Sequence, residues 1–267
     1  MKIFISADIE GCAGVASKPS VAIDGHDYSI SREQMTREVV AACEAAKEMG
    51  AEEIYVKDAH SSGLNIYPDR MPKGVILLRE WSGDPRNMVD GLDETFDAVM
   101  YIGYHAKAGS NGNSLAHTMS SAKLHSIKVN GEIVSEFFLH NYIAAYYGVP
   151  SVMLSGDREV CLESEKLVPG LSTAIVKDSR GALMESVSSE VACERIKSAV
   201  TQALSKPNLK DCLTTLPKDF VLELTYKWHQ DAYAYSFYPG CERIDPYTIR
   251  FQSNDWYEVA RCLLFTM

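Results

Sequence analysis

Five side chains of this sequence have the types and placements needed to hold divalent metal ions: Asp8, Glu10, His60, His105 and Glu136. Zinc accepts imidazole nitrogen and carboxylate oxygen, and a two-metal site needs several such donors, with one carboxylate bridging ions about 3.5–4 Å apart. Each of the five follows an apolar run that reads as a strand or opens one that reads as a helix, so all can converge on one crevice. His117 stands in a different setting, after the glycine-containing loop 109–112, and is a candidate proton-transfer group or nucleophile beside the metals. Taken singly, each residue has a plainer reading. His60 and His105 could cap strand ends, Glu136 could merely complement a helix dipole, and Asp8 and Glu10 could mark a solvated strand terminus. Their joint placement favours a site.

Other residues near these positions have weaker credentials. Asp58, two residues before His60, could orient its imidazole or sit at a solvated strand end. Lys177 and Arg180 could hold the anionic end of a substrate or form a solvated charge cluster. Cys12 could be a nucleophile or a small buried residue. His26, His125, His140 and His229 have no comparable context and read as structural.

The elements that must position these groups follow from periodicity. Residues 3–7 are an apolar run ending at Asp8 and Glu10; if the extended geometry persists, Ser6, Asp8 and Glu10 share one direction. Ser31 followed by Gln34 predicts a capping box, and Met35, Val39, Val40, Cys43, Ala46 and Met49 follow at helical spacing until Gly50. Residues 53–58 read as a second strand. Strand, helix, strand at this spacing is a βαβ unit, with a crevice at the carboxyl ends of its parallel strands. Residues 98–102 form another strand that feeds His105. Asn130-Gly131 between short β-type runs predicts a hairpin with a type I′ turn, after which Ser135 and Glu136 open a helix through Tyr147. Strand and helix continue to alternate, with helices near 159–168 and 187–204 and strands near 151–154, 173–176, 221–224 and 248–251. These patterns predict an α/β fold with a mostly parallel N-terminal sheet and a second, smaller α/β lobe. A change of character after Pro150 suggests domains 1–150 and 151–267.

Composition narrows the partners. The 267 residues carry a formal net charge of −10, which argues against nucleic acid or an anionic membrane, since both reward clustered Lys and Arg. Asp8 and Glu10 interrupt the first apolar run before it could serve as a signal peptide, and no segment is long enough to span a bilayer. Seven cysteines, odd in number and never in a C-x-x-C pair, read as reduced thiols of a cytoplasmic protein.

Several ordered motifs then carry a resemblance. Ser6-Ala7-Asp8-Ile9-Glu10-Gly11, Lys57-Asp58-Ala59-His60-Ser61, Gly103-Tyr104-His105-Ala106, Ala116-His117-Thr118-Met119, Val134-Ser135-Glu136 and Gly156-Asp157 together resemble the D-aminopeptidase family of DppA type. The resemblance implies two zinc ions per subunit on Asp8, Glu10, His60, His105 and Glu136, with Asp8 bridging and His117 in the catalytic role. It further implies a two-domain α/β subunit in a ring-shaped homodecamer. The chain departs from the pattern by one inserted position ahead of His105, by Lys57 where asparagine is frequent, by Cys12, and by the bulky Phe137-Phe138. The function expected is removal of an N-terminal residue, D-configured or not, from short peptides or amides. Hydrolysis of another small amide or phosphoester, and metal-dependent peptide binding without turnover, stay open, because a two-metal site does not name its substrate.

Overall fold

The computed structural model describes residues 1–267 and holds two sheets. The first has seven strands in the order β3-β2-β1-β4-β7-β8-β9: β1 (Lys2–Ala7), β2 (Glu53–Asp58), β3 (Val75–Leu78), β4 (Ala98–Tyr104), β7 (Ser151–Asp157), β8 (Ser172–Arg180) and β9 (Leu183–Ser186). All neighbours are parallel except β8 and β9. β4 is buried at every position and lies at the centre, as expected of a strand covered on both faces. The second sheet is antiparallel, in the order β11-β12-β10-β5-β6: β5 (Leu124–Val129), β6 (Glu132–Ile133), β10 (Phe220–Tyr226), β11 (Cys241–Asp245) and β12 (Thr248–Ser253). Along β10 buried and half-buried residues alternate, the pattern of a sheet with one face on a core.

Helix α2 (Tyr28–Glu48) follows the short α1 (Lys18–Val21) and returns the chain from β1 to β2. It starts three residues before the predicted capping box. Asp27 is its N-cap residue, while Ser31 Oγ donates back to the Asp27 carbonyl at 3.4 Å and Gln34 is drawn away to donate to Glu38 at 2.9 Å. Met35, Val39, Cys43 and Ala46 are its buried stripe, as the spacing predicts. α3 (Glu136–Tyr146) and α4 (Arg158–Leu167) pack on each other, and α2 packs on α5 (Ser189–Leu204). Right-handed crossovers that move outward in opposite directions from the sheet centre, through α2 one way and α4 the other, put these two layers on opposite faces.

Asn130 and Gly131 both have positive φ, 51° and 89°, as a type I′ turn requires, and they join β5 to β6. Ser135 then caps α3 by accepting from Phe138 N at 3.3 Å. The second sheet is completed by α6 (His229–Tyr235) and α7 (Trp256–Thr266). Tyr142 of α3, Phe220 of β10 and Trp256 of α7 meet edge to face, with centroids 4.9–6.3 Å apart, and form an aromatic seam between α3 and the second sheet.

The two sheets do not part at residue 150. β7, β8 and β9 lie beyond it yet extend the first sheet, whereas β5 and β6 lie before it and belong to the second. Pairing across the chain, which no local pattern encodes, decides sheet membership. No helix is long and apolar enough to cross a membrane.

Candidate metal centre

The sheet order places the site. The chain leaves β1 for β2 on one side and comes back to β4 on the other, so a crevice opens between the carboxyl ends of β1 and β4. Asp8 follows β1, His60 follows β2 and His105 follows β4. The extended geometry expected through Glu10 ends at Ala7. Cys12 N donates to Ile9 O at 3.1 Å in a tight turn, so Asp8 and Glu10 converge through a turn and not by strand alternation. Gly11 and Gly103 allow the two loops to close on each other. A Cβ on Gly11 would lie 1.8 Å from Tyr104 O, and one on Gly103, where φ is +70°, would lie 2.3 Å from Asp8 O. Gly11 N donates to Gly103 O at 2.7 Å across this contact.

The six site residues expected from the sequence form two adjoining triads. In Asp8, Glu10 and His60, and again in His105, His117 and Glu136, one donor atom from each residue lies within 4.8 Å of the others. His60 Nδ1 is 3.2 Å from Asp8 Oδ1 and 2.9 Å from Glu10 Oε2. His105 Nε2 is 3.5 Å from Asp8 Oδ2 and 3.4 Å from Glu136 Oε2. His117 Nε2 is 3.6 Å from Glu136 Oε1, and its ring stacks on that of His105 at 4.4 Å. Asp8 thus turns one oxygen to each triad.

Backbone carbonyls orient the three imidazoles. His60 Nε2 donates to Val21 O at 3.0 Å, which leaves Nδ1 facing the carboxylates. His105 Nδ1 donates to Ala106 O at 3.0 Å and His117 Nδ1 to Leu115 O at 2.8 Å, leaving their Nε2 atoms inward. This is the arrangement metal-binding histidines need, one nitrogen held and the other free. Asp8 Oδ2, Glu10 Oε2 and His105 Nε2 are buried and make no well-directed hydrogen bond, although Glu10 Oε2 lies 2.9 Å from His60 Nδ1. Buried polar atoms are almost always satisfied, so three left this way and aimed into one cluster fit a pair of divalent cations there.

Electrostatics agree with this fit. Burial and the charge of Glu10 push the Asp8 carboxyl above its ordinary value. Burial would raise Glu10 and Glu136 as well, but the imidazoles of His60 and His105 beside them hold both below the usual carboxylate range. Burial opposes charge on His60 and His105; Glu10 overcomes it at the first, and Glu136 raises the second to about 10. Imidazolium charge and carboxylate charge stabilise each other, and metal ions would take the place of the protons.

An open cleft of about 830 Å³ lies over the triads. Trp81, Leu115 and Met119 supply apolar wall, and Lys18, His125 and Lys227 supply cationic or polar rim. Lys57, one of the departures from the family pattern, is buried; its Nζ donates to Asp58 O and Glu80 O and lies 4.0 Å from the Trp81 ring, bracing that wall. Phe137 packs inward against Tyr101 and Phe138 against Tyr142, so neither of the bulky pair lines the cleft.

Two secondary readings change, those of Asp58 and Lys177, and two resolve to their plainer alternative, those of Arg180 and Cys12. Asp58 does not touch the His60 ring: it accepts from Asn65 and Ile66 N–H groups at 2.6–2.8 Å, and Asn65 in turn holds the His60 carbonyl at 2.6 Å. Lys177 is buried and faces no substrate; its Nζ donates to the carbonyls of Glu10 and Val15. Arg180 lies exposed at the end of β8, away from the cleft. Cys12 is buried, its thiol pushed up by burial and directed at Asp8 O at 3.4 Å, which makes it a packing residue. His140, left as structural, is a buttress under α3: it donates to Glu136 O at 2.7 Å and accepts from Met88 N at 3.3 Å. Pattern reading missed Met119. Its backbone, at φ 64°, donates to Glu136 Oε1 at 2.7 Å, and nothing in a methionine forecasts that conformation.

Comparison with known proteins is consistent over nearly the whole chain. The profile of a family described as D-aminopeptidase matches residues 1–265. A D-aminopeptidase of Bacillus subtilis (strain 168) is 30% identical over 267 residues, spanning 99% of this chain and 96% of its own. A solved structure, the Zn-dependent D-aminopeptidase DppA from Bacillus subtilis, described as a self-compartmentalizing protease, superposes with a TM-score of 0.92 at 28% identity over 100% of this chain and 96% of that one.

Proposed function

The chain belongs to the D-aminopeptidase family, and from that premise we propose that it is a two-zinc aminopeptidase that removes N-terminal residues, D-residues among them, from short peptides or amides. The observation that carries this reading is Asp8, which turns one carboxylate oxygen to each of two triads, while its own Oδ2 and the nearby Glu10 Oε2 and His105 Nε2 are buried without a well-directed hydrogen bond. Asp8 is the bridge. Glu10 and His60 complete one half-site; His105 and Glu136 complete the other. Zinc held by these residues would supply Lewis-acid polarisation of the scissile carbonyl and of the attacking water.

The protein's own residues do the rest. His117 has its Nδ1 proton committed to Leu115 O, so Nε2 can take a proton from water and return it to the leaving amine. Its side chain is 17% exposed, against 0–9% for the other five, which suits a group that meets substrate. The cleft lies within the roughly 300–1,000 Å³ of small-molecule sites and admits a short peptide, not a folded chain.

A ring-shaped homodecamer is the assembly this reading favours. Its support is the self-compartmentalizing character of the Bacillus relative, together with exposed aromatic residues on the second lobe, where Trp228, Phe237 and Phe265 are 60–70% accessible. Seven free cysteines, including Cys241 and Cys262 with sulfurs 3.7 Å apart and unbonded, suit a reducing cytoplasmic setting.

The test is metal analysis of the purified protein joined to cleavage of paired D- and L-alanyl amides. Two zinc ions per chain and faster turnover of the D-substrate are expected. Absence of transition metal, or peptidase activity that survives His60→Ala combined with His105→Ala, sinks the proposal; turnover of a phosphoester instead reassigns the substrate.

A further inference from the structure

The two half-sites ride on loops leaving different strands, so their separation depends on what joins those loops. Behind the cleft lies a buried polar network that contributes nothing to the cleft wall. Asp157, the last residue of β7, is fully buried. Its Oδ2 accepts from Ala106 N at 2.8 Å and from Asn113 Nδ2 at 3.0 Å, and its Oδ1 accepts from Val160 N at 2.9 Å, capping α4. The Asn113 amide also donates to Glu10 O at 3.1 Å. Lys177, opposite Asp157 in the register of β7 and β8, donates to the same Glu10 carbonyl and to Val15 O.

One carboxylate oxygen therefore holds both halves: the His105–Ala106 loop directly, and the Glu10 turn through one amide. We propose that Asp157, extended by Asn113 and Lys177, sets the spacing between the two half-sites, as a set of positioning residues that never touch the metals. Charge-assisted bonds in a dry interior are short and directional, and three donors converging on one carboxylate leave it a single orientation. Asparagine at 157 has only one acceptor oxygen. Whichever way the amide turns, either the α4 cap or the pair of loop donors loses its partner. Glu10 and His105 then keep their chemistry but lose their fixed separation.

The inference rests on the two-metal reading, and cobalt(II) separates the two claims. Cobalt(II) titrated into metal-stripped wild-type protein should bind two ions per chain, and electron paramagnetic resonance should show them magnetically coupled, a signal that depends on ion–ion distance. In Asp157→Asn and Asn113→Ala, two ions should still bind, with uptake weakened about 10–100-fold, the range of altered outer-shell partners, and with changed coupling. Asn113→Ala leaves the α4 cap and the Ala106 bond in place, so it decides the matter if Asp157→Asn does not fold. Wild-type coupling and affinity in a folded variant overturns the bracket alone. Fewer than two cobalt ions in the wild type overturns the two-metal reading, and the bracket with it.

Discussion

The two triads are built from unlike material. Asp8, Glu10 and His60 all come from one βαβ unit, β1-α2-β2, and each is at most 7% accessible. His105 comes from β4, His117 from a loop, and Glu136 from a helix that follows a hairpin of the other sheet. The first triad presents Nδ1 of its histidine and the second presents Nε2, because different backbone carbonyls hold the opposite nitrogen. The first triad is therefore a local product of one supersecondary unit. The second forms where the two sheets dock, and the aromatic seam of Tyr142, Phe220 and Trp256 joins Phe137 on Tyr101 in fixing α3 there.

The largest way to break this distinction is to remove what the halves share. Asp8→Ala should empty both, with metal analysis near zero and a rate loss of about 10³ or more, since Lewis-acid stabilisation of several kcal/mol disappears. His117→Ala should separate chemistry from binding: kcat falls about 10²–10⁴-fold while metal content holds. Loss of one ion in that variant would instead make His117 a ligand of the second half. The smallest effect is the most diagnostic of the charge network. Neighbouring carboxylates raise His60 and His105, the latter to about 10, which favours protons on these imidazoles, so zinc binding is expected to release protons. Calorimetric heats of zinc binding at pH 7 should vary with the ionisation enthalpy of the buffer, and affinity should rise with pH. The sign for folding is opposite. A histidine raised on folding stabilises the metal-free chain fully below its ordinary value, and that contribution fades as pH rises toward about 10. Heats that do not depend on the buffer would show that the imidazoles enter the site neutral.

Much of this architecture is legible where chemistry coincides with a local pattern. Asp8, His60 and His105 each end an apolar run, and parallel strands align their carboxyl ends, so periodicity alone brings them together. Asn130-Gly131 and Ser135-Glu136 are turn and cap signals with direct stereochemical causes, and both hold. What escapes the sequence is non-local. Lys177 looks like a surface cation until β8 is seen to lie behind the Glu10 turn. Asp58 looks like a strand-end carboxylate until Asn65 and Ile66 fold back onto it. Ser31 fits a cap until Asp27, four residues earlier, is found at the N-cap instead. In each case the side chain's partner lies on an element that no local period predicts, and tertiary pairing overrides the local preference.

The split between the sheets also gives the protein a timetable. Val129 of β5 pairs with Leu222 of β10, and Tyr142 waits for Phe220 and Trp256. A ribosome adding roughly 5–20 residues per second releases every site residue seconds before those partners arrive. The Asp8 half can form around its βαβ unit early. The Glu136 side gains its packing partners only once the last fifth of the protein has been made, and until then β5 lacks β10 and presents a bare edge of the kind that pairs with other chains.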